Sequence, residues 1–316
     1  MFVKTPILYI VVPCYNEEAV LPDSAQKLQA KIETLIADKK IADKSRILFV
    51  DDGSKDKTYQ IITDLHNTNP LFAGVKLAHN RGHQNALMAG LSVARESADV
   101  TITIDADLQD DINAIDKMLD EYANGAEIVY GVRSARKKDT LFKRMTAHAF
   151  YKLMLKMGVE IIYDHADFRL MDKTALDALF QYKESNLFLR GIVPQLGFKT
   201  AKVTYPRGKR QAGESKYPLK KMIAFALNGI TSCSTKPLAM IWKAGLWLNF
   251  LGLAGFITTL VLMFTINLHF MWPLFSAMVW LTGFVLLALG IIGFYLGKAY
   301  LETKHRPLYI IEETLN

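Results

Sequence analysis

The sequence predicts an α/β domain built on a doubly wound, mainly parallel sheet, followed by an apolar membrane segment. Three observations predict it. Short β-branched runs alternate with amphipathic helical patterns through the first 130 residues, as βαβ units do. Several of those runs end in carboxylates or turn residues, at the strand ends where open α/β sheets bind ligands. No Asp, Glu, Lys or Arg occurs from 244 to 297, which leaves room for two spans of roughly 20 residues each.

Taken in order, the run 7–12 reads as a buried first strand, and the apolar spacing of Leu21, Leu28, Ile32 and Leu35 reads as an amphipathic helix. A second strand over 47–50 ends in Asp51-Asp52-Gly53-Ser54, and a helix resumes near Thr58. A strand over 72–77, the loop Asn80-Arg81-Gly82 and a helix through Leu87 and Leu91 follow. Next comes the stretch around which the chain is organised, a β-branched strand over 100–104 that stops at Asp105-Ala106-Asp107-Leu108-Gln109. A helix over 112–122, a strand over 127–130 and the turn Gly131-Val132-Arg133 complete the alternation.

Beyond it the pattern is looser. The spacing predicts a basic amphipathic helix over 140–157, whose lysines suit an ordinary solvated face, and a half-exposed strand over 199–205. The acidic and aromatic stretch 164–170 precedes a helix after Asp172. From Pro218, Leu219, Met222, Ile223, Ala226, Leu227 and Ile230 form one helical stripe, fit either for the membrane interface or for packing on the preceding domain.

Composition narrows the partners. A content of 51% hydrophobic residues is high for a purely soluble chain and is concentrated in the two spans, placed at 238–266 and 273–298. The net charge of +7 is concentrated as well: residues 199–236 hold nine Lys or Arg against the single acid Glu214. Basicity beside a membrane segment points to anionic headgroups or a phosphorylated lipid, and not to nucleic acid. The 267–273 connection lacks Lys and Arg, whereas Lys236, Lys243, Lys298, Lys304 and Arg306 flank the spans. The positive-inside rule then predicts a multi-pass protein of the cytoplasmic membrane with both termini and the large domain in the cytoplasm. Gly252, Gly255 and Gly283 permit helix association, so a homo-oligomer is open. Cys14 and Cys233 form no disulfide framework or zinc pattern, and 7–12 is too short for a secretory signal.

The four loops that converge on one crevice begin at Pro13, Asp51, Asn80 and Asp105. Neither a dinucleotide fingerprint nor a Walker lysine is present, so dinucleotide and P-loop binding lack their signatures. An Asp-x-Asp by itself is equally a solvated acidic turn or a ligand pair for a hard divalent cation that also holds a diphosphate.

Six motifs in order carry a resemblance: Pro13-x-Tyr15-Asn16-Glu17, Asp51-Asp52-Gly53-Ser54, Asn80-x-Gly82-x-x-x-Ala86-x-x-x-Gly90, Asp105-Ala106-Asp107-Leu108-Gln109, Asp167-Phe168-Arg169-Leu170 and Arg210-x-x-Gly213-x-Ser215-Lys216. Over essentially its whole length the chain resembles family 2 glycosyltransferases of GT-A fold, in the polyprenyl-phosphate branch of dolichol-phosphate mannose synthases and bactoprenol glucosyltransferases. It departs from the pattern at His165-Ala166, where relatives often carry Thr-Gly. The resemblance implies a cytoplasmic GT-A domain over 1–210, a juxtamembrane segment over 211–236, two spans within 237–300 and a tail over 301–316. It implies nucleotide contacts from Pro13, Tyr15, Glu17 and Asp52, and Mg2+ or Mn2+ on Asp105, Asp107 and Gln109. It places the donor diphosphate at Arg210, Ser215 and Lys216, and the acceptor phosphate at Arg133 and Arg144. Asp167, Asp107 and Arg133 are the expected catalytic residues.

The activity implied is inverting transfer of a hexose or N-acetylhexosamine from a UDP-sugar to undecaprenyl phosphate. A lipid monophosphate, with its second pKa near ~6, is already a nucleophile and needs little help from a general base. Asp167 is therefore expected to orient the acceptor or take up a residual proton, so that Asp167→Asn leaves a pH-shifted residue of activity. Two rivals remain at this level. A processive polysaccharide synthase would carry Gln-x-x-Arg-Trp, absent here, and an inert membrane-anchored scaffold would have no need of Asp105, Asp107 and Gln109 together.

Overall fold

The computed structural model describes residues 5–134, 165–184, 188–206 and 271–316, with isolated positions between them. In chain order the elements are β1 (Leu8–Cys14), α1 (Leu21–Ala37), β2 (Arg46–Asp51), α2 (Thr58–Thr68), β3 (Phe72–Leu77), α3 (His83–Ala94), β4 (Val100–Thr103) and α4 (Ala114–Ala123). There follow β5 (Ile128–Arg133), β6 (His165–Asp172), α5 (Lys173–Leu179), α6 (Leu189–Ile192), a 3-10 turn Val193–Leu196, β7 (Thr200–Tyr205), α7 (Met271–Thr303) and β8 (Ile311–Leu315).

One eight-stranded sheet runs in the order β7-β5-β6-β4-β1-β2-β3-β8. Strands β4, β1, β2 and β3 are mutually parallel, as the βαβ alternation requires. Side chains alternate between its faces. Leu8, Ile10, Ile47 and Phe49 join Leu28, Ile32, Ile62 and Ile115 of α1, α2 and α4 in one buried layer. Val11, Leu48 and Val50 join Leu87 and Leu91 of α3 and Leu176 of α5 in the other. Gly90 sets the depth of the second layer, since a Cβ there would stand 2.5 Å from methyl carbons of both Val11 and Val50.

The sheet is mixed, not simply doubly wound. β6 inserts antiparallel between β4 and β5, in the stretch that the sequence marked only as acidic and aromatic. Its interior residues Ala166, Phe168, Leu170 and Met171 are all buried, so the strand is covered on both faces and shows no clean two-residue alternation.

The C-terminus also departs from the expected tail. β8 pairs antiparallel with β3, matching Gly74 to Leu315, Val75 to Thr314 and Lys76 to Glu313. A Cβ at Gly74 would lie 3.1 Å from Leu315, and Lys76 binds Glu312 at 3.0 Å. The last residues of the chain thus close one edge of the sheet.

α7 is a continuous helix of 33 residues, about 50 Å long at 1.5 Å per residue. Among the described residues no helix is long and apolar enough to cross a membrane, so the expected span 273–298, which falls within α7, does not stand out as a crossing helix. The span 238–266, the stripe 218–230 and the helix 140–157 lie mostly outside the described residues.

Candidate functional site

The loops after β1, β2 and β3 are joined into one ledge by backbone and side-chain hydrogen bonds. Asn16, in the left-handed region at φ 52°, donates its N–H to Ser54 Oγ at 3.0 Å and accepts from the Lys55 N–H at 2.9 Å through Oδ1. The Glu17 N–H donates to Thr58 Oγ1 at 2.9 Å. Asp52 clasps the third loop, accepting from the N–H groups of Arg81 and Gly82 at 2.7 and 2.9 Å. Gly53 must be glycine on two counts, a φ of +65° and an approach of 2.6 Å between its missing Cβ and the Asn80 nitrogen. Burial pushes the Asp52 carboxyl up from its ordinary value against the pull of those two N–H donors. Tyr15 projects from the ledge with 39% of its surface exposed, and Pro13 lies opposite Val50 in the parallel pair.

The β4 loop turns sharply through Leu108, at φ 43°. Its N–H donates to the Asp105 carbonyl at 3.1 Å, and Ser24 of α1 donates to the Ala106 carbonyl at 2.6 Å. Gln109 folds back, so that its side-chain amide donates to Asp107 Oδ2 at 2.7 Å and its N–H to Oδ1 at 3.3 Å. As described, Gln109 orients Asp107. Among the described residues no group of three or more His, Cys, Asp or Glu could hold a metal ion, and the β4 loop carries the two carboxylates of Asp105 and Asp107. That donor set fits a hard divalent cation only if a diphosphate supplies further oxygens.

Register then brings β6 to the same place. Thr103 pairs with Arg169, and Thr103 Oγ1 donates to the Asp167 carbonyl. The Asp167 carboxylate is held on every side. Arg190 grips it at two points, Nε to Oδ1 at 3.2 Å and Nη2 to Oδ2 at 2.9 Å. Arg169 Nη2 reaches Oδ1 at 3.3 Å and His83 Nε2 lies 3.4 Å from Oδ2. His83 Nε2 is also 3.7 Å from Asp105 Oδ1, linking the two carboxylates. Burial alone would raise the Asp167 carboxyl, but Arg190 and His83 outweigh it and hold it well below the usual range. Asp105 is pushed up instead, by partial loss of its solvation, against the pull of His83 and with the push of Asp167, Asp110 and Asp107.

On the far side of the loop Arg133 pairs with Asp110, Nε to Oδ1 at 2.9 Å and Nη2 to Oδ2 at 3.2 Å. The Asp110 side chain is only 1% exposed, so this pair both neutralises a buried carboxylate and fixes the arginine in one orientation.

The structure thus brings Asp105, Asp107, Gln109, Arg133 and Asp167 together, beside the ledge that carries Pro13, Tyr15, Glu17 and Asp52. Arg144, Arg210, Ser215 and Lys216 lie outside the described residues. Sequence reasoning missed His83, Asp110 and Arg190. His83 was findable, being the first residue of the helix that follows Asn80-x-Gly82. Arg190 sits in a four-residue helix, too short to show periodicity, and is held in place by the Leu189 N–H donating to Gln84 Oε1 at 2.8 Å.

Residues 9–180 match the model of Glycosyl transferase family 2. The chain belongs to that family. Its GT-A fold and its nature as a glycosyltransferase follow. Among the family's curated members it is 49% identical, over 97% of its own length and 91% of the relative's, to the uncharacterized glycosyltransferase YkoT of Bacillus subtilis. It is 38% identical, over 96% and 97%, to the bactoprenol glucosyl transferase of Shigella phage SfV. Among solved structures, a Pyrobaculum calidifontis mannosyltransferase in complex with GDP-Man and Mn2+ covers 80% of this family 2 chain, and is itself covered over 81%, at a TM-score of 0.46 and 16% identity.

Proposed function

We propose that the chain transfers a hexose or N-acetylhexosamine from a UDP-sugar to a polyprenyl phosphate such as undecaprenyl phosphate, with inversion, at the cytoplasmic face of the membrane. The observation that carries this reading is the near end-to-end similarity to bactoprenol glucosyl transferases, together with the ion pairs of Asp167 with Arg190 and of Asp110 with Arg133 beside the β4 loop. A polysaccharide synthase fits less well, because relatives similar over 96% of the chain carry the bactoprenol description.

The residues divide the work. Tyr15 and the ledge held by Asp52 would receive the uridine, with Pro13 and Glu17 shaping the pocket wall. Asp105 and Asp107 would hold Mg2+ or Mn2+, with Gln109 keeping Asp107 aimed. When bound, the cation supplies Lewis-acid stabilisation to the departing diphosphate. Arg133, fixed by Asp110, would orient the acceptor phosphate in line with the anomeric carbon, where positioning and charge complementarity account for most of the acceleration. The phosphate is anionic at neutral pH, so no side chain need remove a proton from it. Arg144 would assist with the acceptor, and Arg210, Ser215 and Lys216 with the donor diphosphate.

Membrane attachment through two spans rests on the run without Asp, Glu, Lys or Arg from 244 to 297. The return of β8 to the β3 edge adds a topological reason. Both ends of the apolar region join one sheet, so the number of complete crossings must be even. Two spans with both termini on the catalytic side satisfy that condition.

The test is a panel of radiolabelled UDP-sugars offered with undecaprenyl phosphate to the full-length protein, read by mass spectrometry of the extracted lipid. One UDP-sugar should give a lipid-phosphate-linked monosaccharide. Polymer formation, or no labelled lipid from any donor, would overturn the reading.

A further inference from the structure

Asp167 occupies the position where a base would be sought, yet its geometry serves another end. Oδ1 accepts from Arg190 Nε and Arg169 Nη2, and Oδ2 from Arg190 Nη2, with His83 Nε2 at 3.4 Å. A carboxylate committed to this many cationic donors is a poor proton acceptor. It is well suited to holding a guanidinium rigid, because the two-point contact fixes the plane of Arg190 as well as its distance.

The exposures differ within the cluster. Arg169 is 2% exposed and Asp167 12%, whereas the Arg190 side chain is 29% exposed and its neighbours His83 and Asp105 are about two-fifths exposed. Arg190 is therefore the more exposed arginine of this group, in the cluster that reaches the Asp105 loop through His83. Arg190 itself lies on α6, and the strand that holds its partner Asp167 says which substrate it meets. The ledge that would take the nucleotide is built from the ends of β1, β2 and β3, on one side of β4. Asp167 and Arg169 lie on β6, on the opposite side of β4, the side that also holds Arg133. A second anion in the reaction, a phosphate monoester separate from the nucleotide, would approach from there.

We propose that Arg190 binds the phosphate of the acceptor, and that Asp167 is a positioning residue whose task is to aim that guanidinium. Arg190 and Arg133 then flank the Asp105 loop from two directions, one held by Asp167 and the other by Asp110. The assignment rests on the acceptor being a polyprenyl phosphate, as proposed above.

The experiment compares the full-length wild type with Arg190→Gln and Arg190→Lys, measuring the acceptor KM with a short-chain polyprenyl phosphate and UDP affinity by calorimetry. Thermal melting serves as the folding control. Losing a charge-assisted two-point contact should raise the acceptor KM of Arg190→Gln about tenfold or more, with UDP affinity within about twofold of wild type. Arg190→Lys, which keeps the charge, should recover part of the loss. If Arg190→Gln fails to fold, the lysine variant decides, through a smaller rise in acceptor KM. An unchanged acceptor KM in a folded variant overturns the assignment, as does a loss of UDP affinity that accompanies it, which would place Arg190 on the donor. Failure of the wild type itself to transfer sugar to polyprenyl phosphate is seen before any variant is made, and overturns the acceptor reading together with this one.

Discussion

The side-chain amide of Gln109 donates to Oδ2 of Asp107 at 2.7 Å, across a turn whose middle residue, Leu108, is left-handed at φ 43°. The turn exists to point one carboxylate. Asp107→Ala should therefore abolish turnover, a loss of about a thousandfold or more if charge stabilisation at the leaving diphosphate disappears. Gln109→Ala, which removes only the group that aims it, should cost about 10- to 100-fold and weaken metal activation. Titration of Mg2+ and Mn2+ into chelated enzyme measures both. Full activity in a folded Asp107→Ala variant would sink the metal assignment.

The Asp167 cluster makes a prediction about pH. Its carboxyl is held below the ordinary value, so its ion pairs contribute stability above the unfolded pKa of about 3.9. That contribution is lost as pH falls through the lower folded pKa. Asp167→Asn should destabilise the protein by about 3 kcal/mol near pH 7, the cost of breaking a largely buried pair, and the gap to wild type should close in strong acid. Activity should fall without any movement of the acidic limb between pH 5.5 and 8. A shifted limb would instead match the expectation from sequence, with Asp167 taking up a residual proton.

Gly90 sits where α3 crosses β1 and β2. An added methyl would have to displace Val11 and Val50, each fully buried, at a cost of about 1–3 kcal/mol. The gain in helix propensity on leaving glycine, about 1 kcal/mol, offsets part of it. Gly90→Ala should lower the melting temperature by a few degrees, and an unchanged or raised value would show that the two valines can yield.

The pairing of β8 with β3 predicts sidedness. A cysteine placed at Asn316 should react with a membrane-impermeant maleimide only in vesicles that expose the catalytic domain. Labelling from the opposite face would mean an odd number of crossings and would contradict the sheet pairing.

Much of this was legible in the sequence. Local signals carried the βαβ alternation, the loops at Pro13, Asp51, Asn80 and Asp105, and the carboxylates that end β4, because strand and helix periodicity and turn chemistry act within a few residues. The two-sided burial of β6 hid its strand character. The four-residue α6 was too short to signal at all, and β8 is exposed on most of its side chains, so its order comes from the β3 edge and not from its own pattern.

By itself the sequence determined an α/β domain with an Asp-x-Asp at the end of a central strand, a charge-free apolar region beyond it, and the family that owns those motifs. Only the tertiary structure decided that His83, Arg169 and Arg190 meet on Asp167, that Asp110 holds Arg133, and that the last strand closes the sheet. These contacts join residues up to more than 200 positions apart, as Lys76 and Glu312 are. Such partners are chosen by strand register and by the need to compensate buried charge, which no local stretch of sequence encodes.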